Sequence, residues 1–345
     1  MDRATWACKH FVMMRTACTV VVAGLGALLS ACAPGRHHVP ATALPGEPFI
    51  LVLGVAQDAG YPQTACRRAC CAAVAADPSL GRHVACLAIV DPLSGQRWII
   101  DATPDFREQL ALLDAVAPPD SGAAGIASQP LLDGILLTHA HIGHYTGLQD
   151  LGREVTGASG VPVYAMPRMK AFLERNGPWR QLVELGNIEL RPIAADQLLA
   201  LNERLSITPL LVPHRDEFSE TVGFRIQGPS RWVLYIPDID KWERWDRSIE
   251  EEIARVDVAL LDGTFFSGDE LGGRDMSEIP HPSVRETMKR LASLPPAERA
   301  KVRFIHLNHT NPLLNPGSKA SGEVRGNGFA VAEQGAIIPL YDALD

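Results

Sequence analysis

At 345 residues the chain has room for one large domain or two modest ones. Its 46% hydrophobic and 21% charged residues describe an ordinary globular protein with a sizeable core, and exclude a disordered or fibrous one. A net charge of −8 excludes a whole-chain basic footprint for nucleic acid, and no nucleic-acid partner is expected.

The first residues read as a targeting segment. Lys9 and Arg15 precede the apolar run 17–29, which closes on Ser30-Ala31-Cys32. A basic start, a short apolar stretch and small residues at its end describe a secretory signal, and the run is shorter than the roughly 20 residues of a membrane span. Leu29-Ser30-Ala31-Cys32 also resembles a bacterial lipobox, which implies cleavage after residue 31 and lipid on Cys32. The division expected is a lipoprotein signal peptide over 1–31, a flexible tether over 32–48, and a catalytic domain over 49–345. Four prolines and two glycines between residues 33 and 48 support the tether. Losing residues 1–31 leaves 29 basic against 39 acidic side chains, a net −10 that disfavours electrostatic adhesion to anionic membrane. Attachment would come from the lipid, and the expected location is that of an exported bacterial lipoprotein, membrane-anchored and facing the periplasm. Of the cysteines left, Cys66, Cys70, Cys71 and Cys86 permit up to two disulfides in an oxidising compartment, while a metal knuckle competes for the first three.

From Pro48 onward short apolar strands alternate with helices and turns. Strands are expected at 49–54, 86–91 and 97–101, a helix at 106–116, a buried strand at 134–138, a helix at 147–155 and a strand at 161–165. A second series follows, with strands at 205–213, 221–226, 231–236, 256–262 and 302–307. Strands followed by helices, twice over, predict two sheets packed face to face under outer helices. His139, His214, Asp238 and His309 each stand just past one of these strands, where a rigid scaffold can bring them to one place.

His139-Ala140-His141-Ile142-Gly143-His144 is the densest feature. His139 and His141 are two apart, so an extended strand end points both to one side, and His144 follows on the first turn of a helix. A single histidine reads as an ordinary surface or core side chain. Three within six residues at a strand exit read as metal ligands, and imidazole with carboxylate suits zinc or iron.

This cluster, preceded by Ile135-Leu136-Leu137-Thr138 and followed by Tyr145-Thr146-Gly147-Leu148, is similar to the signature of the metallo-β-lactamase superfamily, an αββα sandwich. The resemblance covers nearly all of 49–345. It implies a first metal held by His139, His141, His214 and Asp238, and a second held by His144, Asp238 and His309. Asp238 would bridge the two ions, and Asp101 would buttress the histidine loop beside Thr138. The catalytic roles fall on Asp238, His309 and Asp101, with one or two zinc ions or iron. The superfamily's commonest form carries aspartate where Gly143 stands. Asp58, in the loop Gly54–Gly60, is a candidate replacement, although loop aspartates ordinarily cap turns. Tyr61-Pro62-Gln63 with its following cysteines, and Met169 to Trp179, resemble the pyrroloquinoline quinone biosynthesis protein B (PqqB) group. That group's C-x-C-x-x-C knuckle is here Cys66-Arg67-Arg68-Ala69-Cys70-Cys71, with Arg68 at the middle cysteine and His281 as a candidate further ligand; a disulfide such as Cys66–Cys71 is the alternative.

The activity expected is hydrolysis of an ester, phosphodiester or related bond by a metal-bound hydroxide, with Arg215 as a cationic neighbour or an ordinary ion-pairing residue. The PqqB resemblance implies instead an iron-dependent oxygenase. Gly143 motivates a third reading, a non-catalytic metal-binding lipoprotein. Trp242 and Trp245 are candidates for a substrate wall, against the commoner role of aromatics that pack helices. Neither the substrate nor the oligomeric state can be read from the residues.

Overall fold

A computed structural model describes residues 46–119, 131–272, 275 and 278–342. The expected signal peptide, Cys32 and the tether as far as residue 45 lie outside the described residues. Among the described residues no helix is long and apolar enough to cross a membrane.

Among the described residues, fourteen strands form two sheets of seven. The strands are β1 (Phe49–Gly54), β2 (Cys86–Asp91), β3 (Gln96–Ile100), β4 (Gly134–Leu136), β5 (Val161–Ala165), β6 (Ile188–Pro192), β7 (Leu199–Ala200), β8 (Ser206–Leu211), β9 (Val222–Gln227), β10 (Trp232–Ile236), β11 (Val258–Asp262), β12 (Val302–Ile305), β13 (Ala330–Val331) and β14 (Ile337–Pro339). One sheet runs β14-β1-β2-β3-β4-β5-β6 and the other β13-β12-β11-β10-β9-β8-β7. Each sheet has an antiparallel half and a parallel half. Strands β3 to β6 are parallel neighbours in the first, and β10 to β13 in the second.

Alternation along the strands sorts side chains into three apolar layers. In β1, Ile50 and Val52 face the other sheet, while Phe49, Leu51 and Leu53 face the outer helices. The central layer joins Trp98, Ile100 and Leu136 from one sheet to Phe224, Tyr235 and Leu260 from the other. Helices 106–116 and 167–175 cover the first sheet through Phe106, Leu113, Met169 and Leu173. Helices 249–254, 284–290 and 319–326 cover the second through Ile249, Ile253, Val284, Met288 and Val324. The chain is therefore the αββα sandwich expected, and strands buried on both faces explain the continuous apolar runs. The stretch 147–155 departs from expectation. A short 3-10 turn, Thr146–Leu151, takes the place of a full helix, and Gly152 and Gly157 close it.

The parallel strands set the position of the chemistry. Their carboxyl ends line one rim, and β3, β4, β10, β11 and β12 end immediately before Asp101, the 137–139 segment, Pro237-Asp238, Gly263 and His306. Backbone at this rim is locally strained: Asp101 has φ +70° and His306 has φ +63°, a left-handed region that side chains other than glycine occupy at a cost of about 1–3 kcal/mol.

Candidate metal centre

Two sets of ligand atoms meet at the rim and share Asp238. The first is His139, His141, His214 and Asp238; the second is Asp58, His144, Asp238 and His306. In the first, His139 Nε2 lies 2.9 Å from His141 Nδ1 and 3.4 Å from Asp238 Oδ2, and His214 Nε2 lies 3.3 Å from Asp238 Oδ1. In the second, Asp58 Oδ1 is 3.3 Å from His144 Nε2 and 3.6 Å from His306 Nε2, while Asp238 Oδ2 is 3.8 and 3.9 Å from the same two nitrogens. Tetrahedral ligands about 2.05 Å from a common ion stand roughly 3.3 Å apart, so these edges have the scale of a cation site.

Neighbouring groups fix which ring atom points inward. Thr138 donates its hydroxyl to Asp101, at 2.9 Å from both carboxylate oxygens, so it can only accept from His139 Nδ1, 3.0 Å away. His144 Nδ1 donates to Asp101 Oδ2 at 2.7 Å. Both rings are left with Nε2 aimed at the centre. The second sheet repeats the device with residues the sequence reading missed. Thr264 donates to Asp262 at 2.7 Å and accepts from His306 Nδ1 at 3.0 Å, and Asp262 Oδ2 accepts from His281 Nδ1 at 2.8 Å.

Electrostatics agree with a cation-binding role. Burial holds His139 well below its usual range and takes His214 down to about 4, so both are neutral, whereas against burial Asp101 and Asp58 hold the His144 ring well above its usual range, a proton that a bound cation would have to displace. Burial opposes ionisation of Asp58 and Asp238, yet the surrounding histidines outweigh it and hold both carboxyls well below the ordinary value. Five buried polar atoms, His144 Nε2, His214 Nε2, His306 Nε2, Asp58 Oδ1 and Asp238 Oδ1, have no hydrogen-bond partner among the described residues. Buried polar atoms left unsatisfied cost about 1–3 kcal/mol each. That they converge on the same two points makes the residues fit a pair of cations.

A third cluster lies nearby. Cys66, Cys70, Cys71 and His309 bring three sulfurs and one imidazole within ligand distance of one another. Cys66 Sγ is 3.8 Å from Cys70 Sγ, and His309 Nδ1 is 3.6 Å from Cys70 Sγ and 3.4 Å from Cys71 Sγ. A tetrahedral zinc with sulfur ligands at about 2.3 Å has edges near 3.8 Å, whereas a disulfide needs about 2.05 Å. All four described cysteines are free, an arrangement that matches the metal knuckle and not the alternative Cys66–Cys71 disulfide. Cys86 is buried alone beneath the sheet.

A family model for the β-lactamase superfamily domain matches residues 96–307, more than half of the 345. The chain belongs to this superfamily. Within it, Coenzyme PQQ synthesis protein B of Methylorubrum extorquens strain PA1 is 27% identical over 318 residues, and that of Xanthomonas axonopodis pv. citri strain 306 is 29% identical over 313. Each alignment covers 84% of this chain and 99% of the relative. Among solved structures, zinc-bound PqqB from Methylobacterium extorquens superposes with a TM-score of 0.70 at 24% identity, covering 85% of this chain and all of the other. A diphosphatase of the PhnP family gives 0.58 at 22% identity, covering 84% and 96%. The chain is thus a PqqB-like protein with the metallo-β-lactamase fold.

Two sequence expectations, on His309 and His281, need correction against this geometry. His309 is not with the paired centre; it joins the cysteines, and His306 takes its place. Strand β12 ends at Ile305, two residues earlier than expected, so the residue just past the strand is His306. His281 does not join the cysteines; it lies against Asp238 and Asp262, with Nδ1 3.2 Å from Asp238 Oδ1. In the knuckle, Cys70 sits with Cys66 and Cys71, while Arg68 caps the start of helix 69–76. The wall suggested by Trp242 and Trp245 is also absent from the site. Both are buried in the outer layer, donating to Thr287 Oγ1 and to the Leu211 carbonyl. Arg215 is exposed on the loop after His214.

The superfamily aspartate missing at position 143 is replaced in space by Asp58. A Cβ on Gly143 would fall 2.5 Å from Asp58 Cα and 2.5 Å from its Oδ1. Only a residue without a side chain leaves room for the loop that brings the carboxylate in.

Proposed function

We propose that this chain is a metal-dependent hydrolase acting on an ester or phosphodiester bond. The observation that carries the proposal is Asp238 facing two adjacent ligand sets, the second completed by Asp58. Divalent cations in such a pair lower the pKa of water from about 15.7 toward roughly 7 and draw charge from the oxygens of the scissile group. The five imidazoles of His139, His141, His144, His214 and His306 would hold these ions. Asp58 is 34% exposed where Asp238 is 3% exposed, so Asp58 is the carboxylate that can reach incoming water and accept its proton. His281 supplies the acid. Burial works against its charge, but Asp262, which accepts from its Nδ1 at 2.8 Å, and Asp238 raise its pKa to about 9 before any cation is bound. Its Nδ1 is occupied by Asp262, leaving Nε2 to protonate a departing oxygen.

His281→Asn is expected to lower turnover of an alkyl ester or phosphodiester about 100-fold or more, and to change a p-nitrophenyl substrate by less than tenfold, because a good leaving group needs no proton. Equal losses on both would remove His281 from the acid role. A second reading rests on the resemblance to the PqqB group: the same histidines and aspartate suit iron, and the reaction would be an oxidation. Elemental analysis with an oxygen electrode separates the two. Zinc or manganese with ester cleavage supports hydrolysis; iron with oxygen uptake and no hydrolysis overturns it.

A further inference from the structure

The cysteine–histidine cluster and the second ligand set are built on the same two chain segments. One runs from the end of β1 through Asp58 and Tyr61 to Cys66, Cys70 and Cys71. The other runs from the end of β12 through His306 to His309. Each segment carries one ligand of the second set, which are Asp58 and His306, and at least one member of the cysteine cluster. His306 and His309 are only three positions apart, a span of at most about 11 Å.

The segments are tied together between the two clusters. Leu307 N donates to the Val55 carbonyl at 2.8 Å, and Gln57 N donates to the Leu307 carbonyl at 2.9 Å. The Asn308 side-chain amide donates to Gln57 Oε1, and Tyr61 donates its hydroxyl to the Cys70 carbonyl at 2.7 Å. Asp58 and His306 each sit one residue from these cross-links. Apolar packing does little for the outer end of this unit, because helix 69–76 buries only Cys71 and Val74. A bound ion at the cysteines would supply the fixation that a hydrophobic face supplies elsewhere.

The first ligand set is held differently. Ala140 N donates to Ser219 Oγ at 2.8 Å, and His141 Nε2 lies 3.3 Å from Glu217 Oε2. These contacts join the 139–144 and 214–220 loops without involving either segment above.

We propose that the cysteine–histidine cluster is a positioning centre whose occupancy sets the affinity of the second cation position, formed by Asp58, His144, Asp238 and His306, and leaves the first position largely unaffected. The proposal rests on the two-cation reading of the paired centre. Control is by geometry: without the tie, Asp58 and His306 lose their fixed separation, and the second ion must order two loops on binding.

Cobalt(II) titration of the full chain tests this. Cobalt bound to thiolates gives a ligand-to-metal charge-transfer absorption, which reports the cysteine centre separately from the visible bands of the paired centre. Cys71→Ser should weaken or abolish the thiolate band and lower the affinity of the second ion at the paired centre at least tenfold, with the first changed less than threefold. Asn308→Ala keeps every ligand. It should retain the thiolate band and still weaken the second ion several-fold, which also covers the case of Cys71→Ser failing to fold. Asn202→Ala, far from both centres, controls for general destabilisation and should alter neither. Loss of the thiolate band with an unchanged second affinity overturns the coupling alone. A wild-type chain with no thiolate band overturns the cysteine centre, and with it the coupling. A wild-type chain that takes only one ion at the paired centre overturns the two-cation reading.

Discussion

A carboxylate that enters a site from a different loop changes what its neighbours can be. Because a Cβ on residue 143 and the Asp58 backbone would stand 2.5 Å apart, these positions are mutually exclusive for side chains. Gly143→Asp is therefore expected to displace the Asp58 loop instead of adding a ligand. It should cost the second ion and lower activity tenfold or more. Combining it with Asp58→Gly should recover part of both, a coupling that a double-mutant cycle on metal content would measure. Equal losses in the single and double variants would show that the two positions do not compete.

At the scale of elements, the rim where parallel strands end concentrates the chemistry, and two similar constructions meet there. Asp101, just past β3, and Thr138, just past β4, together hold His139 and His144. Asp262 ends β11 and, with Thr264, holds His306 and His281. Such partners orient a ligand ring and raise its basicity, and their loss commonly costs 10–100-fold in metal affinity. Asp101→Asn should therefore weaken metal binding by about that factor, through the His139 ring of the first set and the His144 ring of the second. Asp262→Asn should weaken the second ion and depress the proton donor together. Isothermal titration of each variant with zinc would check this, and unchanged affinities would make the two carboxylates ordinary turn residues.

For the whole molecule, the sandwich is held by its apolar layers, and the cations would join the two sheets across the rim. Asp101, His139 and His144 belong to the first sheet's strand ends, whereas His214, Asp238 and His306 belong to the second's. Ions bound there add stability as RT ln(1 + [L]/Kd), about 2.7 kcal/mol when free metal is 100 times Kd. Chelation should accordingly lower the melting temperature, and added zinc should restore it. The effect should be smaller in His141→Ala, which removes one ligand of the first set. A melting temperature indifferent to chelator would mean that the sheets close without metal.

By itself, the sequence determined the sandwich and most of the first ligand set. Periodicity of two, continuous apolar runs and a dense histidine cluster are local signals, and local signals survive in a linear reading. It also isolated Asp58 as a candidate without being able to place it, since nothing near residue 143 records which loop lies 2.5 Å away in space. Tertiary structure alone decided how the remaining ligands were shared out. His306 and His309 are three residues apart and chemically identical, and only the end of β12 at Ile305, with the left-handed turn at His306, sends one to the paired centre and the other to the cysteines. His281 reaches Asp262 across 19 positions of sequence, where no spacing rule applies. Ligand identity is written along the chain. Ligand partnership depends on where strands stop and which loops cross, and those are set by packing between residues far apart in sequence.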